Sequence, residues 1–121
     1  MTFDVGYATL LRLWGVGCRL SDSIVQTFLT ILARVPDSLI ARKNGPEAAE
    51  RVSGLARSVL KDGGVFSENG LEELKKLDLA LRDEQHRLNP GTTADLVAAA
   101  IFVFLVEGRM LYSFKDLLKC W

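Results

Sequence analysis

The stretch LNPGTTADLVAAAIFVFLV, residues 88–106, places a polar turn directly before the longest apolar run of the chain. That run, Leu96–Val106, has eleven residues, whereas a membrane-spanning helix needs about 20. A helix that is hydrophobic all round is typical of a core position. The stretch therefore predicts a central helix over residues 96–106, buried on all sides by other helices.

The rest of the chain also repeats apolar residues at helical period, and no segment alternates as a strand would. Breaks are predicted at Gly15–Gly17, at Pro36, at Pro46 and at Asp62–Gly64. The expected buried stripes include Phe3, Tyr7, Leu10, Leu11 and Trp14; Ala48, Val52, Leu55, Ala56, Val59 and Leu60; and Leu71, Leu74, Leu77, Leu81 and Leu88. We predict an all-α fold, a compact multi-helix domain around the central apolar helix, with residues 1–121 forming one domain.

Three details of these helices are open to a structural check. Val5, Leu13 and Val16 lie off the first stripe and are expected on the surface. Glu47 and Arg51 have the i,i+4 spacing of a helical ion pair. Asn69 precedes Glu72 by three residues, which is the spacing of a capping box at a helix start.

Charge and cysteine content narrow the functional classes. Fifteen Lys and Arg balance fifteen Asp and Glu in 121 residues, which argues against a general nucleic-acid binder, because such proteins rely on a basic surface. The N-terminus lacks the basic start and cleavage site of a signal peptide, and no segment is long enough to predict a membrane span. With two cysteines, expected as free thiols, we predict a cytoplasmic protein.

The polar turn before the apolar helix has two interpretations. Thr92 precedes Asp95 by three residues, which is the spacing of a capping box. The same helix start, preceded by Gly91 and two threonines, offers amides and hydroxyls to a phosphate. A carboxylate beside a phosphate requires a divalent cation between them, as Mg²⁺ usually provides. Spacing alone does not choose between the cap and the metal–phosphate site.

A second polar cluster lies in PDSLIARKNGPEAAE, residues 36–50. One interpretation is a solvated connector with a helix cap at Asn44 or Gly45. The other is a site for triphosphate and Mg²⁺, because a short connector combines an acid, two cations and a glycine. The polar residues in question are Asp37, Ser38, Arg42, Lys43, Asn44 and Glu47.

The two clusters together resemble one family. PDSLIARKNG (36–45) and LNPGTTADLVAA (88–99) are similar to elements of the ATP:dephospho-CoA triphosphoribosyltransferases, also called triphosphoribosyl-dephospho-CoA synthases. The intervening AAERVSGLARSVLKDGG and LEELKKLDLALR follow in the family's order. Members of that family are considerably longer, with further motifs in an N-terminal half that nothing in residues 1–35 resembles. The chain therefore resembles the C-terminal portion of the family domain.

The resemblance implies a transferase that joins the triphosphoribosyl part of ATP to dephospho-CoA and releases adenine. It implies Mg²⁺ as cofactor, with Asp37 and Asp95 as metal ligands or catalytic carboxylates. Phosphate binding falls to Arg42 and Lys43, and the anion-binding turn to Asn89, Gly91, Thr92 and Thr93.

An alternative is a non-catalytic helical module, from a truncated or split homologue, that binds a nucleotide or a subunit. His86 is the single histidine of the chain. We expect it to serve as a cation at the end of a helix and not as a catalytic acid or base. The high apolar content predicts a homodimer, or a partner subunit that supplies the N-terminal half.

Overall fold

The computed structural model describes residues 2–17, 19–82 and 90–106, with the side chains of residues 2–4 left aside. All regular elements in these ranges are helical, which confirms the predicted all-α fold. They are α1 (Thr2–Gly15), α2 (Leu20–Arg34), α3 (Ser38–Asn44), α4 (Pro46–Lys61), a 3₁₀ turn (Gly64–Phe66), α5 (Glu68–Leu81) and α6 (Gly91–Val106).

The helix boundaries follow local chemistry. The PDSLIARKNG stretch forms α3, a helix of seven residues capped by Asp37. Gly45 ends α3 and precedes α4 with a φ of 95°, a conformation that glycine adopts without strain. Pro46 is the first residue of α4, as predicted. Helix α5 begins earlier than predicted, because Ser67 accepts a hydrogen bond from the Gly70 amide and takes the capping role expected of Asn69.

Helix α2, and not the apolar helix, occupies the centre of the described fold. It contacts α1, α4, α6 and the 3₁₀ turn. The main hydrophobic core lies between α2, α3, α4 and α5. Its most completely buried large side chains are Leu29, Leu32, Ile40, Val52, Val59 and Leu77.

Helix α6 packs through one face, so the prediction that it is buried on all sides is wrong. Its buried residues are Thr93, Val97, Ala100 and Phe104, spaced four, three and four residues apart, which places them along one side of a helix. Phe104 also stacks edge-on against Trp14, with ring centroids 5.5 Å apart. On the other side, Phe102 and Val106 are 67% and 56% exposed. A helix of almost entirely apolar composition is therefore not necessarily buried on all sides.

Several side chains differ from their predicted positions. Leu13 is buried instead of exposed, because α1 packs against both α2 and α6 and so buries a wider face. Leu55 and Leu71, predicted to be buried, are 42% and 43% exposed because they lie at the margin of their helices' packed faces.

The predicted pair between Glu47 and Arg51 does not form in the described structure. Instead, Arg57 pairs with Glu50 at 2.5 Å and donates a hydrogen bond to the carbonyl oxygen of Ala33. That second bond ties α4 to the C-terminal end of α2.

Within the described ranges, no single helix has both the length and the apolar composition to cross a membrane. Helices α2 and α3 have the required length and apolar composition only when they are counted as one segment, and they are bent by 54° relative to each other.

Two glycines give a matched test of this packing. A Cβ atom at Gly70 would collide with the backbone of Gly64, where α5 rests on the 3₁₀ turn. We expect Gly70→Ala to lower the free energy of unfolding by about 1–3 kcal/mol, as overpacking usually does. Urea denaturation followed by circular dichroism measures this change.

Gly54→Ala is the control, since its Cβ would meet only the Arg57 guanidinium at an ordinary 3.6 Å. It should raise stability by up to about 1 kcal/mol, because alanine favours a helix interior. Equal effects of the two substitutions would contradict the close approach of α5 to the turn.

Candidate functional site

The N-terminal ends of α3 and α6 meet at the carboxylate of Asp37. Its Oδ1 accepts hydrogen bonds from the amides of Leu39, at 2.9 Å, and Ile40, at 3.1 Å. Its Oδ2 accepts from the amide and the hydroxyl of Thr93, both at 2.8 Å. Asp37 is only 2% exposed. One buried carboxylate therefore joins two segments that are more than fifty residues apart in the chain.

Burying a carboxylate is unfavourable unless donors replace its hydration. Here four donors do so, and the positive ends of two helix dipoles point at the same group. The interaction makes Asp37 the cap of α3 and, across the fold, the cap of α6.

The capping box predicted within the polar turn is therefore replaced by a cap from another element. Helix α6 begins at Gly91, so Thr92 is its second residue and Asp95 its fifth. Thr93, not Thr92, contacts the capping carboxylate.

A second contact joins the two helix ends at the surface. The hydroxyls of Ser38 and Thr92 are hydrogen bonded at 2.8 Å. Arg42 lies one turn along α3 from Ser38, and Asp95 lies one turn along α6 from Thr92, so each shares a face with its hydroxyl. Arg42 and Asp95 are exposed. We call Ser38, Arg42, Thr92 and Asp95 the polar rim.

Gly91 permits the close approach of the two helices. A Cβ atom there would lie 2.6 Å from Cδ2 of Leu39, closer than packed carbon atoms approach. Pro90, just before it, is buried. The amides of Gly91 and Thr92 have no acceptor among the described residues. Both amides belong to the helix end that borders the polar rim.

The structure brings four of the eight predicted site residues into the junction, namely Asp37, Gly91, Thr92 and Thr93. Asp37 and Thr93 lie on the inner side of the junction, while Asp95 is two residues beyond Thr93 and so faces away from it. The two carboxylates thus occupy opposite sides of one helix end. Lys43 is exposed on α3, and Asn89 lies outside the described residues. Ser38 was noted in the sequence without a role; its signal was a hydroxyl beside a capping aspartate.

The described residues contain no group of three or more His, Cys, Asp or Glu side chains placed to hold a metal ion. Mg²⁺ bound to a phosphate needs only one or two carboxylates, since phosphate oxygens and water complete its shell. Asp95 fits that limited role because it is exposed and forms no hydrogen bond or ion pair within the described structure. The oxygens of Asp37 each accept two hydrogen bonds already, so its role as a metal ligand stays a prediction.

An open cavity of about 480 Å³ adjoins the same helix end. It lies between α2, α5 and the start of α6, and both apolar and charged side chains line it, among them Phe28, Pro90, Asp78 and Arg82.

Substitutions at Asp37 test its role as a shared cap. Asp37→Ala leaves four donors without their acceptor, three of them in fully buried hydrogen bonds. We expect the free energy of unfolding to fall by about 2–4 kcal/mol. Thr93→Val removes only the hydroxyl bond and should cost about 1 kcal/mol. Chemical denaturation measures both changes.

Asp95→Asn is the matched control, because this carboxylate has no described partner. Its stability should stay within about 0.5 kcal/mol of the parent, as for most surface changes. A larger loss for Asp95→Asn than for Asp37→Ala would contradict the shared cap.

The sequence of the chain is similar to known proteins of one family. Residues 1–113 match the model of the ATP:dephospho-CoA triphosphoribosyl transferase family. A probable 2-(5''-triphosphoribosyl)-3'-dephosphocoenzyme-A synthase of Malonomonas rubra is 32% identical over 92 residues, covering 76% of this chain and 28% of the relative. A protein of the same description from Azotobacter vinelandii is 30% identical over 102 residues, covering 84% of this chain and 34% of the relative.

The chain thus spans about a third or less of the length of these curated relatives. No solved structure matches it significantly. The two polar stretches that meet at Asp37 and the polar rim both fall inside the matched region. Since the family model covers residues 1–113, the chain belongs to the ATP:dephospho-CoA triphosphoribosyl transferase family.

Proposed function

We propose that this chain supplies the triphosphate-binding part of a triphosphoribosyl-dephospho-CoA synthase. That enzyme transfers the triphosphoribosyl part of ATP to dephospho-CoA and releases adenine. The observation that carries the proposal is the junction of α3 and α6, where both polar stretches present a helix N-terminus and a hydroxyl at one surface.

The polar rim is suited to an anion for three reasons. The amides of Gly91 and Thr92 point out of a helix N-terminus, where the helix dipole favours negative charge. The Ser38 and Thr92 hydroxyls lie 2.8 Å apart and can turn their protons to a phosphate oxygen. Arg42 adds a permanent positive charge with a fork of donors that matches phosphate geometry. Lys43, its exposed neighbour in sequence, adds a second cation.

Triphosphate binding at the rim would require a metal ion because of the negative charge of Asp95. A bare carboxylate would repel the triphosphate, whereas Mg²⁺ bound between them neutralises charge on both. We therefore assign Asp95 as the carboxylate that would hold Mg²⁺ together with the phosphates. Asp37 fits a positioning role better than a catalytic one, because its four hydrogen bonds fix the two helix ends that border the rim.

Transfer of the triphosphoribosyl group also needs an acid for the departing adenine and a base for the attacking hydroxyl. Asp95 is the exposed carboxylate that the described residues place at the polar rim, while Asp83, Glu84 and His86, which precede α6 in sequence, lie outside those residues. The alternative, a nucleotide-binding module whose turnover requires groups outside this chain, stays a prediction. We also propose a cytoplasmic location, in keeping with the predicted free thiols and with ATP as the substrate.

Titration calorimetry with Mg-ATP tests the proposed site. Arg42→Ala removes a charged phosphate contact worth about 1.5 kcal/mol, so we expect the dissociation constant to rise about tenfold. Arg51→Ala is the matched control, because Arg51 is an exposed arginine on α4, away from the junction. An equal effect of both substitutions would leave only non-specific attraction between charges.

Asp95→Ala should act in opposite directions with and without the metal. It removes the ligand for Mg²⁺, so Mg-ATP should bind several-fold more weakly. It also removes a repelling charge, so tripolyphosphate in the presence of EDTA should bind more tightly than to the parent chain. Weaker binding in both conditions would show that Asp95 contributes in some other way than through a metal.

A further inference from the structure

Helix α6 presents an apolar face to solvent. Five exposed apolar residues form this outer face: Ala98, Ala99, Phe102, Leu105 and Val106. Their spacing of one, three or four positions places them on one side of the helix. Phe102 is 67% exposed, Leu105 40% and Val106 56%. The outer face lies opposite the one that packs against α1 and α2, so no described helix covers it.

This face differs from an ordinary solvated helix surface. A surface helix normally turns charged and polar side chains outward, yet Asp95 is the only charged residue in α6. Three large neighbouring hydrophobic residues on one side of a helix mark an interaction surface more often than isolated ones do. The outer face begins one turn after Asp95, so it is continuous with the polar rim.

The family relatives indicate what covers it. The match takes in 28% of the Malonomonas rubra protein and 34% of the Azotobacter vinelandii protein, so about two thirds of each relative has no counterpart here. We propose that the outer face of α6 binds the polypeptide equivalent to that remaining part, through an apolar surface of it, and that binding brings further functional groups to Asp95. The docking rests on family membership, and the completion of the site rests on the proposed function.

A second copy of this chain is a poorer occupant. It would bring a second set of the same groups, in which Asp95 is again the exposed carboxylate that the described residues place at the rim. A complementary polypeptide covers the hydrophobic surface and can also contribute side chains other than those that the described part of this chain places at the rim. It can lie in the same polypeptide or in a separate subunit, since the chemistry of the contact is the same.

The test mixes the full chain with the Malonomonas rubra relative from which the 92 matched residues have been deleted. Sedimentation velocity should show a one-to-one complex. Phe102→Asp should weaken that complex at least tenfold, because it places a charge in the middle of the outer face. Leu79→Asp is the matched control, since Leu79 is 73% exposed on α5, and it should change the affinity less than twofold.

Cysteine labelling covers the case in which the deleted relative does not fold. The measurement uses a chain with Cys18 and Cys120 replaced by serine, alone and inserted into the relative in place of its matched stretch. The thiol introduced by Phe102→Cys should react with a maleimide at least tenfold more slowly in the chimera than in the chain alone. The thiol introduced by Leu79→Cys should react equally fast in both.

Several results would overturn the proposal. These are no complex with a folded deletion protein, equal weakening by both aspartate substitutions, or equal labelling of position 102 in chain and chimera. A dimer of the chain alone that Phe102→Asp dissociates would assign the face to a second copy. Binding to phosphatidylcholine–phosphatidylglycerol vesicles, lost in Phe102→Asp, would assign it to a lipid surface. None of these measurements contains a nucleotide, so the docking and the triphosphate site fail or hold separately.

Discussion

The buried carboxylate of Asp37 is the interaction on which the functional end of this protein depends. The carboxylate accepts hydrogen bonds from two amides of α3 and from an amide and a hydroxyl of α6. It is almost entirely removed from water. A buried charge is tolerated only when its hydrogen bonds are complete, so the four donors and the carboxylate fix one another. This constraint brings Ser38 to Thr92 at the surface, and Arg42 and Asp95 each lie one helical turn beyond these hydroxyls.

The rest of the fold positions these two helix ends. Helix α2 packs against α1, α4 and α6. Helix α3 is fixed because its Ile40 belongs to the hydrophobic core shared with α2, α4 and α5. Gly91 lets the first turn of α6 approach Leu39 closely. Helix α6 then runs away from the junction with one face packed and one face exposed, so the polar rim and the apolar outer face belong to one continuous surface.

Because the two surfaces are continuous, a polypeptide docked on the outer face of α6 would lie beside the proposed triphosphate site. The amides, hydroxyls and cation around the rim suit a triphosphate, while the transfer reaction requires proton donors and acceptors that a single exposed carboxylate does not supply. The chain spans about a third or less of its curated relatives. The polar rim adjoins an apolar face of α6 that no other described helix covers, as the proposed docking of a further polypeptide requires.

Helical period, proline and glycine placement predicted the all-α class and the start of α4 correctly, because these are local properties of the backbone. The motif residues also identified the stretches that meet, although metal binding by Asp37 and Asp95 stays a prediction. Sequence could not show that the cap of α6 comes from Asp37, because that bond joins residues more than fifty positions apart. Nor could it tell which face of α6 is packed: the helix is apolar on nearly every side, so only the positions of α1 and α2 decide which side is buried.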